Sequence, residues 1–237
     1  VALYAQRHFH DFGTTRETLG EIAINNRRNA ALNPKAVCTD ALDMDDYLSA
    51  RMISSPLCLF DCDVPVDAST AIIVSRAEAA EDVASPVYLE AMGCALHGQD
   101  SWDNYSPNLT EMAAHDAACA MWSQTDLSPA DVDTAQLYDG FSMLTLSWIE
   151  ALGFCGKGEA KDFLQGGDNI ARNGQLPLNT NGGQLSGGRT HGFGYFYEAI
   201  LQLKGEAGER QLARRPRVAA VANGGGPLGS CFLLRTG

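Results

Sequence analysis

The residues whose types and spacing could do chemistry gather in two places. Asn179–Gly194 (NTNGGQLSGGRTHGFG) is rich in glycine and carries Arg189 and His191. Glycine turns that run into a helix start leave backbone N–H groups free for an anionic or carbonyl oxygen. No Gly-Lys-Ser/Thr follows, so this is not a P-loop. No clear strand leads in, so it is not a dinucleotide fingerprint either. The competing reading is a crossing where backbones pack closely. The second place is Tyr138-Asp139-Gly140, between a short strand pattern at Thr134–Tyr138 and a helical one at Phe141–Leu152. A strand that turns into a helix there puts polar side chains at the carboxyl edge of a sheet, where sites form in open α/β folds.

These stretches need elements to position them. Val1–Phe12 reads as a short helix ended by Gly13. Thr14-Thr15-Arg16-Glu17 reads as a capping box opening the next helix, whose apolar positions Leu19, Ile22, Ala23 and Ala30 recur at helical spacing and which Asn33-Pro34 stops. His8 and His10 are read as surface or packing residues. Ala41–Ser54 is predicted helical, with the acidic run Asp43–Asp46 as a solvated face. Thr70–Ser75 (TAIIVS) is predicted as a buried strand and Arg76–Asp82 as a short helix. Val87–His97 reads as a second strand, bulged near Gly93. Ser106-Pro107 caps a helix with an apolar stripe at Leu109, Met112, Ala113, Ala117, Ala120 and Met121. Gly153 closes the helix that begins at Phe141. Gly156–Gln175 is predicted as a surface excursion and Gly205–Pro216 as exposed. Tyr195–Leu203 reads as a helix. Arg217–Ala222 and Cys231–Arg235 read as a hairpin with a wide glycine loop over Asn223–Ser230.

The bulk properties narrow the function class. The 237 residues carry 45% hydrophobic residues and a net charge of −12. That is enough for a substantial core, and it argues against a nucleic-acid or anionic-membrane surface. The seven cysteines lack zinc-type pairing, Cys58 and Cys62 being the only close pair, and the odd count fits a reducing cytoplasm. No signal peptide and no apolar run of membrane-spanning length is evident. The expectation is therefore a cytoplasmic protein with no metal site.

Three ordered segments resemble the thiolase superfamily, and within it the sterol-carrier-protein thiolase and lipid-transfer-protein branch. Tyr138-Asp139-Gly140-Phe141 matches the family's Asn-Glu-Ala-Phe or His-Asp-Cys-Phe. Asn181-Gly182-Gly183 with Gly188-Arg189-Thr190-His191-Gly192 matches its Asn-x-x-Gly-Gly and Gly-His-Pro-x-Gly. Ala222-Asn223-Gly224-Gly225-Gly226 matches its Cys-x-Gly-Gly-Gly. Asp61–Ser75 resembles the strand closing the family's first half. The resemblance implies an α/β thiolase-like fold with a mixed sheet flanked by helices, in which residues 1–84 would be the loop domain and last strand of the N-terminal half and residues 85–237 the C-terminal half. The departures are chemical. Arg189 stands where the family has its catalytic histidine, Ala222 where it has its second reactive cysteine, and Tyr138 where it has Asn or His. The nucleophilic cysteine of thiolases lies in a first half that this chain would lack, so further N-terminal sequence or a partner is expected to supply the rest.

What the resemblance leaves is retro-aldol cleavage of a β-hydroxyacyl-CoA, which needs no covalent intermediate. It needs a base for the hydroxyl, an oxyanion site for the thioester enolate and an acid for the α-carbon. Tyr138 suits the acid, since an unperturbed tyrosine titrates near ~10 unless a cation lowers it. Arg189 or His191 would supply that cation or steer a substrate oxyanion, and Asp139 would orient either one. Backbone N–H groups at Gly192–Gly194 or Gly224–Gly226, beside Asn223, would hold the enolate. Plainer roles are a packed Tyr138, a His191 that caps a carbonyl, and an Arg189 paired with Glu198 or Asp139. Cys231 in its apolar strand, and Cys94 and Cys155 without basic neighbours, are read as unreactive. The resemblance implies coenzyme A only as part of the substrate, no other cofactor, a homodimer, and a small partner of the zinc-ribbon and OB-fold type. Two other functions compete: an acetyl-CoA acyltransferase with its cysteine in other sequence, and a non-catalytic acyl-CoA- or lipid-binding subunit.

Overall fold

The computed structural model describes residues 1–80, 83–97 and 109–237. In chain order its elements are helices α1 (Ala2–Phe12), α2 (Arg16–Ala30) and α3 (Met44–Ser49), then strands β1 (Met52–Ser54) and β2 (Leu57–Cys58). Strand β3 (Val87–Leu96), helix α4 (Ala113–Trp122), strand β4 (Thr134–Gln136) and helices α5 (Ser142–Ala151) and α6 (Ala160–Leu164) follow. Helix α7 (Phe193–Lys204) and strands β5 (Val218–Gly224) and β6 (Leu228–Thr236) complete the chain.

The main sheet has the order β3-β6-β5-β4 and is mixed: β4 runs parallel to β5 and the other pairs are antiparallel. Side chains alternate across a strand, so each strand feeds two layers. Ala219 and Val221 of β5, with Leu234 of β6, pack against Tyr195, Ala199 and Leu203 of α7. Ala220 and Ala222, with Cys231 and Leu233, face the opposite core with α4 and α5. Helix α5 is buried from Ser142 to Glu150, which is why SMLTLSWIE shows apolar residues around its whole circumference. It is a middle layer, with α2 packed on its far side. The expected mixed sheet flanked by helices is present.

Several local expectations are corrected. The second helix is capped by Thr15 with Thr18, not by Thr14 with Glu17, because the Thr14 hydroxyl is engaged with His8 Nδ1 at 2.8 Å. Ala41–Ser54 is not one helix: Asp43 caps α3 by accepting the Asp46 N–H at 2.8 Å, and after Ser49 the chain turns extended into the β1–β2 hairpin. Thr70–Ser75 is neither strand nor buried; Ile73 is 96% and Val74 85% exposed. A strand needs a neighbour for its backbone groups, and none of the described strands lies beside this one. Ile72, Ile73 and Val74 form one wall of an apolar groove of about 570 Å³, with Phe193, Phe196 and Phe232 opposite. The bulge in β3 falls between Leu89 and Ala91, not at Gly93.

The polar excursions also hold more core than their composition implies. Within Gly156–Gln175, Leu164 and Ile170 are fully buried. Within Gly205–Pro216, Ala207 and Leu212 are buried, and Arg210 reaches the fully buried Glu198 at 2.9 Å. The β5–β6 strands extend to Gly224 and from Leu228, so the glycine turn is only Gly225–Pro227. Strand β4 stops at Gln136, and the Asn179 side chain continues the pairing, accepting the Leu137 N–H at 2.7 Å and donating to its carbonyl at 3.0 Å. The Ser106-Pro107 cap lies outside the described residues.

Gly93 marks the closest contact of sheet and helix: a Cβ there would stand 1.8 Å from the carbonyl oxygen of Ala117 in α4. Gly93→Ala is therefore expected to push α4 off β3 and to destabilise by about 1–3 kcal/mol or more, as overpacking does. The urea midpoint of unfolding measures it.

Candidate active site

The carboxyl end of β4 leads into Tyr138 and Asp139, and these two side chains do different things. Asp139 is fully buried. It accepts from Asn26 Nδ2 of α2 at 2.6 Å, from the Gln184 N–H at 2.7 Å and from the Leu185 N–H at 3.2 Å, and the Tyr195 hydroxyl of α7 donates to it. Burial pushes its carboxyl up to about 6, while the bonds from Tyr195 and the two N–H groups pull the other way. Asp139 thus fixes the glycine run rather than facing open space. The run makes one turn of π-helix, Gly183–Gly187, over the carboxylate. A Cβ on Gly183 would lie 2.0 Å from Asp139 Oδ2, so only glycine admits this approach.

Tyr138 is half-buried and bends back over Gly140, where a Cβ would come within 2.6 Å of its ring. Its ring stands 6.3 Å from that of His191 and 6.3 Å, edge-on, from that of Tyr195. Burial and then the charge of Asp63 raise the phenol's pKa, and Gln184 and Arg189 hold it down. Tyr138 is therefore a protonated acid at neutral pH.

Arg189 and His191 are exposed and lie side by side, with Arg189 Nε donating to His191 Nε2 at 2.9 Å. A guanidinium can only donate, so Nε2 accepts and the ring proton sits on Nδ1. The ion-pair partner of Arg189 is Asp63, at 3.4 Å, not Glu198 or Asp139. Glu198 is instead held by Arg210, and Asp139 by the bonds above. His191 does not cap a carbonyl through its ring, whose bond is to Arg189, and its backbone N–H donates to Gln184 Oε1 at 2.9 Å. His191 has a φ of +49°, rare for a residue with a side chain, followed by Gly192 at +98°. Strain of this kind is held where the surroundings fix it, often at working sites.

Two residues of this cluster escaped sequence reasoning. Asp63 arrives because residues 62–64 thread between the other stretches: its N–H donates to Gly140 O, Val64 donates to Gln184 O, and Arg189 donates to Val64 O. Burial raises the Asp63 carboxyl and Arg189 lowers it. Gln184 sits in the glycine run, and its only sequence signal was that company. The glycine donors are partly committed elsewhere. The Gly194 N–H donates to Thr190 Oγ1 at 3.1 Å and the Gly225 N–H to the Leu228 carbonyl at 2.7 Å. Gly224 O accepts from Trp148 Nε1 at 3.0 Å, and Gly226 O accepts from the Ala113 N–H. Gly192 backs directly onto Asn223, whose Cγ would be 2.6 Å from a Cβ there.

Burial keeps three of the thiols protonated. Ala222 is fully buried and pairs across the sheet with Cys231, whose thiol burial pushes up to about 12. Burial, with Asp61 and Asp63, pushes Cys62 up to about 11. Cys155 is raised to about 12 by burial and Glu150, and Cys94 is exposed on the far strand. Beside the cluster lies a cavity of about 650 Å³, walled by Thr190, Gly188, Tyr197, Lys35, Ser69 and Arg210. Among the described residues no group of three or more His, Cys, Asp or Glu side chains could hold a metal ion, and no helix is long and apolar enough to cross a membrane.

The buried Asp139 gives a pH signature. Its folded pKa of about 6 lies above the unfolded carboxylate value of 3.8, so the folded state binds the extra proton. Its contribution to stability is fully present below the unfolded value and is lost as pH rises to about 6. The difference in unfolding free energy between wild type and Asp139→Asn is expected to fall over that window and to level off above it, as urea melts at stepped pH would read.

Comparison with known proteins agrees with this architecture. Residues 97–234 match the family model described as thiolase C-terminal domain-like. A 17-hydroxy-3-oxo-4-pregnene-20-carboxyl-CoA lyase of Mycobacterium tuberculosis is 41% identical over 212 residues, covering 86% of this chain and 54% of the relative. A steroid side-chain-cleaving aldolase of Thermomonospora curvata is 36% identical over the same shares. The chain thus spans about half the length of the curated relatives it matches. Among solved structures, the Ltp2-ChsH2(DUF35) aldolase superposes with a TM-score of 0.88 at 32% identity, over 99% of this chain and 62% of that one. A monomeric SCP2-thiolase-like protein of Mycobacterium smegmatis superposes at 0.71 and 17% identity, over 99% and 50%, and so shares the fold. With a mixed sheet of this order, the three glycine-bearing segments in place and these relatives, the chain belongs to the thiolase superfamily, in the branch of SCP2-thiolase-like proteins and steroid side-chain aldolases.

Proposed function

We propose that this chain carries the acid–base half of an enzyme that cleaves a β-hydroxyacyl-CoA thioester by retro-aldol reaction, in lipid or steroid side-chain degradation. The observation that carries the reading is the cluster Tyr138–His191–Arg189–Asp63, where proton donors and acceptors meet and the neighbouring thiols of Cys62 and Cys231 are held protonated. The names of the two most similar relatives described above support the same reaction class.

The chemistry follows from the groups present. A base takes the proton of the β-hydroxyl, and the oxygen's electron pair forms the new carbonyl as the Cα–Cβ bond breaks. Asp63 suits that role, since burial makes its carboxylate a better proton acceptor than a free one. The electron pair of the broken bond passes to the thioester as an enolate. Its oxygen is held by the Gly192 N–H and the Asn223 carboxamide, with the Arg189 guanidinium near. Tyr138, protonated at neutral pH, gives its proton to Cα. The cavity beside Thr190 and Lys35 gives the coenzyme A portion its room. No covalent intermediate forms, so a cysteine is not required. A homodimer and a small partner of the zinc-ribbon and OB-fold type belong to this reading, and the two-component name of the similar aldolase structure supports a partner subunit.

Tyr138→Phe removes the acid while keeping the ring. It is expected to lower kcat for β-hydroxyacyl-CoA cleavage by roughly 10²–10⁴-fold with little change in KM, and iodoacetamide is expected to leave the wild type active. Alkylation that abolishes turnover would point to a thiolase with its cysteine in other sequence. Acyl-CoA binding without turnover would point to a non-catalytic subunit.

A further inference from the structure

Gln184 is 1% exposed, in the middle of the π-helical turn. Each of its polar groups but one has a partner. Its N–H donates to Asp139, its carbonyl accepts from Val64, and its Oε1 accepts the His191 N–H at 2.9 Å. That last bond fixes the plane of the carboxamide, so Nε2 must point away from His191. Nε2 is buried and has no partner of good geometry. A buried amide donor left unpaired is costly, and the group this side chain bears on is the Tyr138 hydroxyl.

We propose that Gln184 is a positioning residue for Tyr138: its Nε2 donates to the phenolic oxygen as that oxygen gives up its proton, and its Oε1 ties the same carboxamide to the His191 backbone. The inference rests on the reading of Tyr138 as the acid. Hydrogen bonds of this kind are often loose in an empty site and tighten when charge develops. The side chain already acts on Tyr138 in the ground state, where it opposes the effects of burial and Asp63. The other groups facing Tyr138 are Asp63 and Arg189 from their loops, His191, Asp139 and Tyr195. Asp63 and Asp139 favour the phenol and Arg189 the phenolate, and Gln184 brings a buried amide donor without a partner. Gln184 thereby couples the strained His191 turn to the proton on Tyr138.

Gln184→Glu and Gln184→Leu separate this from a packing role. The glutamate keeps the shape and the acceptor for His191 but replaces the donor with an acceptor, while the leucine removes both. In each, the ultraviolet titration assigned to Tyr138 by difference from Tyr138→Phe is expected to move to higher pH. The kcat for cleavage is expected to fall on the order of 10-fold while KM holds. In the unsubstituted protein, the side-chain amide signals of Gln184 are expected to shift with the Tyr138 titration and to lose that shift in Tyr138→Phe, which needs no Gln184 variant to fold. A Tyr138 titration unmoved in both variants, or Gln184 amide signals indifferent to it, would overturn the proposal. An active Tyr138→Phe would instead remove the reading of Tyr138 on which it rests.

Discussion

One buried carboxylate holds this molecule's site together. Asp139 gathers donors from α2, α7 and the glycine run around a single charge. Removing a carboxylate from water is costly, and only several good hydrogen bonds offset it. Bonds to a charged acceptor are worth about 1.5–3 kcal/mol each, so four of them offset much of the penalty, although burial still leaves the carboxyl raised to about 6. The consequence is geometric. The glycine run cannot drift from the end of β4, because its N–H groups at 184 and 185 close on that carboxylate. The glycine at 183 follows from the same constraint.

With that lock in place, the side chains of the candidate site sit on its outer side. Tyr138 leaves the same strand end in another direction, and Arg189 and His191 leave the far end of the π-helical turn. Asp63 enters through a strand-like crossing bonded to both. Burial and charge then divide the labour. Asp63 and Tyr138 have raised pKa values chiefly because they are partly removed from water, which makes the one a better base and keeps the other an acid. The same burial keeps Cys62 and Cys231 as thiols. The resemblance to the thiolase superfamily places Ala222 and Arg189 where that family carries a cysteine and a histidine, and here they sit beside groups that can hold or give a proton.

The exposed apolar segment 72–74 belongs to the same physical account. Its residues have the pattern of a buried strand, and Ile73 and Val74 instead face solvent. Pattern specifies what a segment can pair with. It does not supply the neighbour, and the sheet described here ends at β3 on one side and β4 on the other.

The sequence by itself determined the elements whose signals are local: α1 with its Gly13 stop, α5 with apolar residues on every side, α7 after the glycine run, and the β5–β6 hairpin. It also determined the superfamily, because Tyr138-Asp139-Gly140, Asn181–Gly192 and Ala222–Gly226 keep their order and spacing. It marked Tyr138, Arg189 and His191 as one group for the same reason. What it did not contain was the partner of each polar side chain. Asp139 and Arg189 were both open to ion pairing by type, and only packing decided that Asp139 faces inward to Asn26 and Tyr195 while Arg189 meets Asp63. Asp63 lies 75 residues before Tyr138 and has no motif of its own. Its place depends on backbone bonds of Asp63 and Val64 to Gly140 and Gln184, contacts that exist only once the chain has folded. Hydrogen bonds across such separations leave no periodicity to read, and so the tertiary structure alone assembled the site.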